Sequence, residues 1–584
     1  MTGSNRPRFE RPMPPVIIRR PGSATVDLPV SPLLQRIYAA RGVDSIDQLD
    51  QRLRMLPSPA SLAGLTEAVT LLEDALRQRW RITIVADLDA DGATSCALAV
   101  RALRALGAAD VRYVVPNRFV HGYGLTPEIV AVAARDRPDL LITVDNGISS
   151  HEGVRAAQAL GMRVLITDHH LPGPTLPAAD ALVNPNQPGD AFPCKQLAGV
   201  GVIFYVLSAL RTRLRESGWF AARGLSEPNM AGFLDLVAVG TVADVVPLAH
   251  TNRVLVEQGL RRIREGRCVP GITALFAVAG RSMARVSVTD IAFQLGPRLN
   301  AAGRLADMSL SIDCLLCDDP ARALVLVQEL DRLNRERRMI ETEMRAQALD
   351  SLERWPLAEG ELPFGLCLFD PDWHPGVIGI VAGRIRERVH RPVIAFALDH
   401  HPGQLRGSAR SVPGLHIRDV LATLDARQPG LIGRFGGHAA AAGLSLPAAH
   451  LSVFQSAFDA EVRALLRLED LNGCLWSDGE LEPADFCLET AEQLREAGPW
   501  GQGFPEPLFD GVFEVTAHRI MKDQHLKLWL RASGLRQPVE AVAFHRVGDF
   551  TPGATRLRVA YKLDANEWRG ERRLQLRVEH LEPV

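Results

Sequence analysis

From Ile82 to Gly92 the chain reads Ile-Thr-Ile-Val-Ala-Asp-Leu-Asp-Ala-Asp-Gly, an apolar β-branched run leading straight into three alternating carboxylates and a glycine. That much negative charge at the end of a buried strand implies a cation. Asp-x-Asp-x-Asp-Gly also opens an EF-hand calcium loop, but such a loop requires Glu at its twelfth position and a helix before it. Here the twelfth residue is Leu98 and the preceding run is a strand. The pattern instead predicts a turn at the carboxyl end of an α/β sheet, where ligands bind, with Gly92 opening a helix through Ala93–Val100. A surface turn is equally rich in Asp and Gly, so the tract alone does not define a site.

Three further segments supply the context. Asp139–Val144 is a second apolar strand and ends in Asp145-Asn146-Gly147, while Met162–Thr167 is a third and ends in Asp168-His169-His170. A helical or mixed apolar run, Phe233–Ala243, then delivers Asp244 before Val245-Val246-Pro247. Strand, acidic tip, helix and strand again is the rhythm of a parallel sheet whose tips converge on one edge. A single His after a strand is commonly structural, and Asp-Asn-Gly makes a good turn anywhere. It is the recurrence at successive tips that points to a metal centre. Carboxylates with an imidazole suit Mn²⁺ or Mg²⁺ better than a thiolate-rich zinc site, and so many oxygens have capacity for two ions. Two such ions form the usual clamp for hydrolysis of a phosphoester.

Asp87–Ser95, Val144–Ser149, Asp168-His169-His170 and Ala243–Leu248 together resemble the ordered signature of the DHH phosphoesterase superfamily, in particular its single-strand-specific nucleases. The likeness runs from about residue 50 to the C-terminus. Later motifs that separate the nucleases from small-substrate relatives are Gly296–Leu305, Trp373–Arg384, Gly407–Ser411, Phe435–His438 and Gly498–Pro507. Leu88 stands where that signature usually carries an aromatic residue, and Leu is not a ligand type.

The resemblance implies that Asp89, Asp91, Asp145, His169 and Asp244 hold two Mn²⁺ or Mg²⁺ ions, with Asp145 bridging and Asp87 the less firmly assigned member. It implies that His170 contacts the scissile phosphate or leaving oxygen, and that Asp168 orients the His pair. Arg298, Asn300 and Arg304 are candidate partners for phosphate oxygens, although an ordinary ion pair is the alternative for each Arg. The resemblance further implies that the second domain closes over the metal site and holds the nucleotide, which makes His374, Ser408, Arg410, Gly436, Gly437 and His438 candidate substrate contacts, and Gly-rich turns at helix starts expose N–H groups to anions. The alternative there is plain turn chemistry.

Composition bounds the rest. A chain of 584 residues should divide into several domains. Its net charge of −2 does not advertise a polyanion binder, but the acidic total includes ligands whose charge bound ions would offset. Cys314-Leu315-Leu316-Cys317 has no second pair to complete a zinc site and reads as core packing. Residues 6 to 22 are Arg- and Pro-rich without the apolar region of a secretory signal, and no apolar run has the length of a membrane span. A cytoplasmic enzyme without a membrane partner is expected.

The expected architecture is a multidomain α/β chain. An extended Pro-rich lead and short helix (1–50) precede a parallel-sheet DHH domain (51–305) and connecting helices (306–360). Around Glu329–Glu341 the dense opposite charges suit a solvated spacer helix, with an Arg-lined nucleic-acid track as the sharper alternative. A second α/β domain, the DHH-associated substrate domain, spans 361–466. Over 467–584, alternating runs such as Val512–Val515, Leu526–Leu530 and Leu574–Val578 read as a small β-barrel, for which the resemblance implies an OB-fold. Its Lys522, His525, Lys527 and Arg531 could track a single strand, whereas Trp529 is expected to pack inward.

The reading as a whole is a metal-dependent exonuclease degrading single-stranded DNA 5′ to 3′ into 5′-mononucleotides, in DNA repair and recombination. Single-strand-binding protein and a helicase are partners implied by resemblance. A DHH-type oligonucleotide or cyclic-dinucleotide phosphodiesterase is the alternative within the superfamily, but it leaves the β-domain without a purpose. A non-catalytic DNA-binding scaffold would be expected to have lost ligands, and every expected ligand is present.

Overall fold

The computed structural model describes residues 15–21, 27–117, 124–353, 362–568 and 571–584. The first part of the Pro-rich lead and the segment joining the connecting helix to the second domain lie outside these residues. Five parallel strands form the first sheet, in the spatial order Asp110–Val114, Arg81–Ala86, Leu140–Val144, Arg163–Thr167, Ala181–Val183. Both faces are covered, which is why these strands read as continuous apolar runs. Ile82, Ile84, Leu140, Ile142 and Val144 face one core, and Val85, Leu141, Val164 and Ile166 the other. The chain leaves Arg81–Ala86 to one side for its next strand and returns on the other side as Leu140–Val144. A crevice therefore opens between these two strands at their carboxyl ends, the switch point where open α/β sheets bind ligands.

The helix expected from Gly92 begins two residues earlier, at Ala90, and runs to Ala105, buried over almost its whole length. Phe233–Ala243 resolves as a short 3₁₀ turn followed by the helix Leu234–Ala243, so Asp244 arrives from a helix end and not from a strand tip.

The charged spacer is one helix of 34 residues, Pro320–Glu353, about 51 Å long at 1.5 Å per residue. Its outer face carries the expected solvated pairs, such as Arg332 with Glu329 and Glu336. It is nevertheless not a free spacer. Ala323, Val327, Leu330 and Leu333 belong to the first core, and Met344, Ala348 and Leu352 to the core of the next domain. One apolar stripe, obscured in the sequence by Arg and Glu, makes the helix a strut shared by two bodies.

The second domain carries a mixed sheet ordered Arg434–Gly437, Ala441–Pro447, Gln404–Arg410, Val393–Leu398, Leu366–Phe369. The C-terminal strands Phe509–Met521, His525–Ala532, Val539–Ala543, Arg556–Trp568 and Glu571–Pro583 close into a barrel. Within His525–Ala532 the inward side chains are Leu526, Leu528 and Leu530. The expectation that Trp529 packs inward is therefore corrected: the period of two puts it on the outer face, with the Lys527 ammonium 5.3 Å from its ring. Cys314 is buried in the helix Ser309–Leu316, in keeping with a packing role.

The first fifty residues are not an appendage. Val16–Arg19 pairs in parallel with Cys474–Ser477, Arg41 makes a two-pronged bond to Asp478, and Tyr38 stacks against Trp500 and Phe504. Barrel residues Phe509 and Phe513 share one continuous core with the metal-bearing domain, although the second domain, with cores of its own, lies between them in the sequence.

Candidate metal centre and its closing domain

Asp87 follows the strand Arg81–Ala86, Asp145 follows Leu140–Val144, and Asp168 follows Arg163–Thr167. The switch point thus brings the first two tips together. Three groups of donor atoms lie within 4.8 Å of one another: Asp87, Asp89 and Asp145; Asp91, His169 and Asp244; and Asp145, His169 and His170. Asp145 and His169 are each common to two of these groups. Asp87, the less firmly assigned residue, is buried inside the cluster.

Local structure explains the convergence. Asp89 caps the helix Ala90–Ala105, its Oδ1 accepting from the N–H groups of Asp91 and Gly92. A Cβ on Gly92 would lie 2.6 Å from the Asp87 carbonyl oxygen, so only glycine lets the tract fold back this tightly. Asp145 adopts φ 63°, a left-handed conformation uncommon outside glycine, and its N–H bonds the Thr167 carbonyl. It fits because Gly199, at the start of the helix Gly199–Glu216, has no Cβ; one there would stand 2.6 Å from Asp145 Oδ1. Asp91 spans the same gap, accepting from Gly199 N–H at 2.6 Å and Val200 N–H at 3.1 Å. Asp244 is followed by Val245 at φ 61°, a strained value for a β-branched residue.

The donor set fits a divalent cation. Burial, and then the charges of Asp91, Asp89, Asp87 and Asp244, push the Asp145 carboxyl well above the usual range. Burial and the Asp89 charge raise Asp91 to about 7, and Asp244 is raised in the same way. Buried like charges of this kind are costly unless a cation offsets them. His169 Nε2 lies 3.1 Å from Asp145 Oδ1 and 3.5 Å from Asp244 Oδ2, yet neither it nor Asp145 Oδ1 makes a hydrogen bond among the described residues. Burial and the neighbouring His170 lower His169 to about 3, leaving the ring neutral and able to ligate.

His170 is different. Its Nδ1 bonds Asp168 Oδ1 at 2.8 Å, and Asp168 Oδ2 accepts from Ile148 N–H. Burial alone would lower the His170 pKa, but the Asp168 bond and the charges of Asp168, Asp87 and Asp244 reverse this and raise it to about 10. For Asp168 the burial penalty is likewise overcome by His170, and the carboxyl falls to about 2. Cations at the cluster would cancel the pull of Asp87 and Asp244, leaving Asp168 as the partner that holds the ring.

Two residues that the sequence reading missed support the pair from behind. Asn184 Nδ2 donates to the His170 carbonyl and Asn186 Nδ2 to that of His169. Their only signal was Asn-Pro-Asn after an apolar strand of three residues, Ala181–Val183, too short to register. From the facing domain the His438 ring stacks on His170 at 5.6 Å between centroids.

The comparisons with known proteins agree with this geometry. Family models match in order: the DHH family N-terminal domain over residues 81–241, the DHHA1 domain over 363–464, and the RecJ OB domain over 477–580. The single-stranded-DNA-specific exonuclease RecJ of Dickeya dadantii is 52% identical over 97% of this chain and 99% of its own length. That of Escherichia coli is 50% identical over the same shares. The chain belongs to the RecJ family. A crystal structure of RecJ from Thermus thermophilus in complex with Mn²⁺ superposes with a TM-score of 0.78 at 34% identity, covering 95% of this chain and 76% of that one.

The remaining RecJ motifs act largely as brackets. Asn300 Oδ1 accepts from Ala90 N–H at 2.8 Å, and Gly303 packs against the Leu88 carbonyl with no room for a Cβ, so the helix Gly296–Leu305 holds the Asp tract from below. Arg298 takes the ion-pair alternative: its guanidinium, almost fully buried, bonds Asp331 of the long helix at 2.9 Å and the Gln294 carbonyl at 2.7 Å. Arg304 reaches the Gly376 carbonyl of the second domain at 3.2 Å, where His374 Nδ1 accepts from Gly376 N–H. Arg410 donates to Ser408 Oγ at 3.1 Å, and Gly379, near the start of the helix Ile378–Val389, leaves the space that both side chains occupy. Gly436 and Gly437 lie exposed at the end of the strand Arg434–Gly437. Lys527, on the barrel, is paired with Glu540 at 2.8 Å. Gly498–Pro507 docks beside Asp244: the Gln502 carbonyl accepts from Leu248 N–H at 2.7 Å, and Gly503 packs on Pro247.

Proposed function

We infer that this chain is a metal-dependent exonuclease of single-stranded DNA that works from the 5′ end and releases 5′-mononucleotides, in repair and recombination. The observation that carries the reading is the convergence of Asp87, Asp89, Asp91, Asp145, His169 and Asp244 at one switch point, in a chain of the RecJ family. These residues would hold two Mn²⁺ or Mg²⁺ ions, which supply the charge that neutralises phosphate oxygens and activates water.

Each protein group has a task in this reading. Asp145, fixed by its backbone and by Gly199, would be the carboxylate shared between the two ions. His170, kept protonated by Asp168, donates to a phosphate or leaving oxygen. His438 closes over His170 from the second domain, beside Ser408, Arg410, Gly436 and Gly437 as candidate phosphate contacts. Asn300 and Arg298 act through the Asp tract and the long helix, while Arg304 joins the two domains at the turn that His374 holds. The outer face of the barrel, with Lys527 and Trp529, suits charge and stacking contacts to a strand. Single-strand-binding protein and a helicase are partners in the same reading, and the cytoplasm is its compartment. Among the described residues no helix is long and apolar enough to cross a membrane.

Digestion of end-labelled oligonucleotides tests the proposal. With Mn²⁺ or Mg²⁺, a single strand should release its 5′ label first and as a mononucleotide, duplex should resist, and Asp145→Ala should hydrolyse nothing while still binding the strand. Full activity in Asp145→Ala, or equal turnover of dinucleotides and long strands, would overturn it.

A further inference from the structure

Beside the metal cluster a cleft of about 500 Å³ separates the first domain from the long helix and the second domain. Ala243, next to the ligand Asp244, lines its inner end together with Asn300, which holds the Asp tract. Its walls carry Arg304, Arg337, Arg338 and Arg384 against a single carboxylate, Glu341. Arg337 and Arg384 are bound to that Glu341, while Arg338 has no ion-pair partner among the described residues. The lining is therefore rich in arginine, and its inner end adjoins neighbours of the metal ligands.

Two large apolar side chains, Phe293 and Ile380, line this cleft among the arginines, and of the two only Phe293 is widely exposed. Phe293 is 63% exposed, although its neighbours Ile291 and Leu295 are fully buried. It sits in the π-helical turn Ile291–Leu295, inserted between the short helix Val288–Asp290 and the helix Gly296–Leu305. A widened turn is less favourable than regular helix and is found mostly where function requires it. Scattered exposed apolar residues are ordinary on a protein surface. An aromatic ring held by a π-turn among arginines, at the mouth of a phosphodiesterase centre, is a different case. Such a ring offers its face to any base, and arginines around it suit the phosphates on either side.

We propose that Phe293 is a base-stacking residue of the substrate channel, gripping one base of the single strand near the scissile linkage while the cleft arginines meet its phosphates. The proposal deepens the exonuclease reading and rests on it. It gives a physical basis for a preference for single strands, since a base paired in a duplex cannot leave its stack for the ring without unstacking and unpairing.

Single abasic sites scanned along the first nucleotides of a labelled strand, with Mn²⁺, provide the test. In the unaltered protein one position should lower kcat/KM by about tenfold, the loss typical of one missing stack. Phe293→Ala should lower kcat/KM on intact strands by a similar factor and flatten the scan, while Phe293→Trp should keep the dip. A scan that is flat in the unaltered protein, or a dip unchanged in Phe293→Ala, would overturn the proposal even though hydrolysis continues. Absence of metal-dependent hydrolysis in the unaltered protein would instead remove the exonuclease reading beneath it.

Discussion

Asp145 shows how much of a ligand's placement lies outside the ligand. Its left-handed backbone and buried carboxylate are held only because Gly199, 54 positions on in the sequence, offers no Cβ. Gly199→Ala should therefore weaken Mn²⁺ binding by about ten- to hundredfold, the range seen when groups supporting a metal site are altered. Titration calorimetry checks this, and unchanged affinity would mean that the helix start yields easily. The acidic tips themselves were legible in the sequence, because each follows an apolar run and their residue types are specific to hard cations. Their supports were not. Arg298 looked like a phosphate ligand until its partner Asp331 came within 2.9 Å, and Asn184 looked like a loop residue until it met the His170 carbonyl. Partners of this kind are set by packing between elements, and periodicity carries no trace of them.

Among elements, alternation and helical period were read well where one face is buried and poorly where charge masks the stripe. The long helix Pro320–Glu353 and the outward Trp529 are the two examples. The segment Gly498–Pro507 is a third kind, a motif whose meaning is a contact. Its Gly503 has φ 71° and would place a Cβ 3.1 Å from Pro247, three residues after Asp244. Gly503→Val should displace that loop and lower Mn²⁺ affinity while leaving strand binding by the barrel measurable by fluorescence anisotropy. The N-terminal strand makes a prediction in pH. Burial alone would raise Asp510, but hydrogen bonds from Arg19 and Ser477 and the charge of Arg19 hold its carboxyl below 3.8. A depressed folded-state value means stability present above about pH 4 and lost as pH falls through the folded pKa. Since Arg19 is half exposed, Arg19→Ala should cost only about 1 kcal/mol at pH 7, and the difference from the unaltered protein should shrink in thermal melts as acid protonates Asp510. A difference that persists in acid would assign the strand's docking to packing instead.

For the whole molecule, the metal centre lies where three bodies meet. The first domain supplies the carboxylates and the His pair, the second lays His438 on His170, and the segment leading to the barrel braces the chain after Asp244. A core shared from the N-terminal helix to the barrel makes these bodies one structural unit on that side. The second domain keeps cores of its own, and the cleft holding Phe293 opens between bodies connected by the long helix and contacts such as Arg304 to Gly376. Everything in this account depends on cations at the switch point. Anomalous diffraction at the manganese edge, from crystals of the full chain grown with Mn²⁺, tests that most directly. Two peaks flanking the Asp145 carboxylate are predicted, one beside Asp87 and Asp89 and the other beside His169 and Asp244; no peak there, or ions bound without Asp145, would contradict the account.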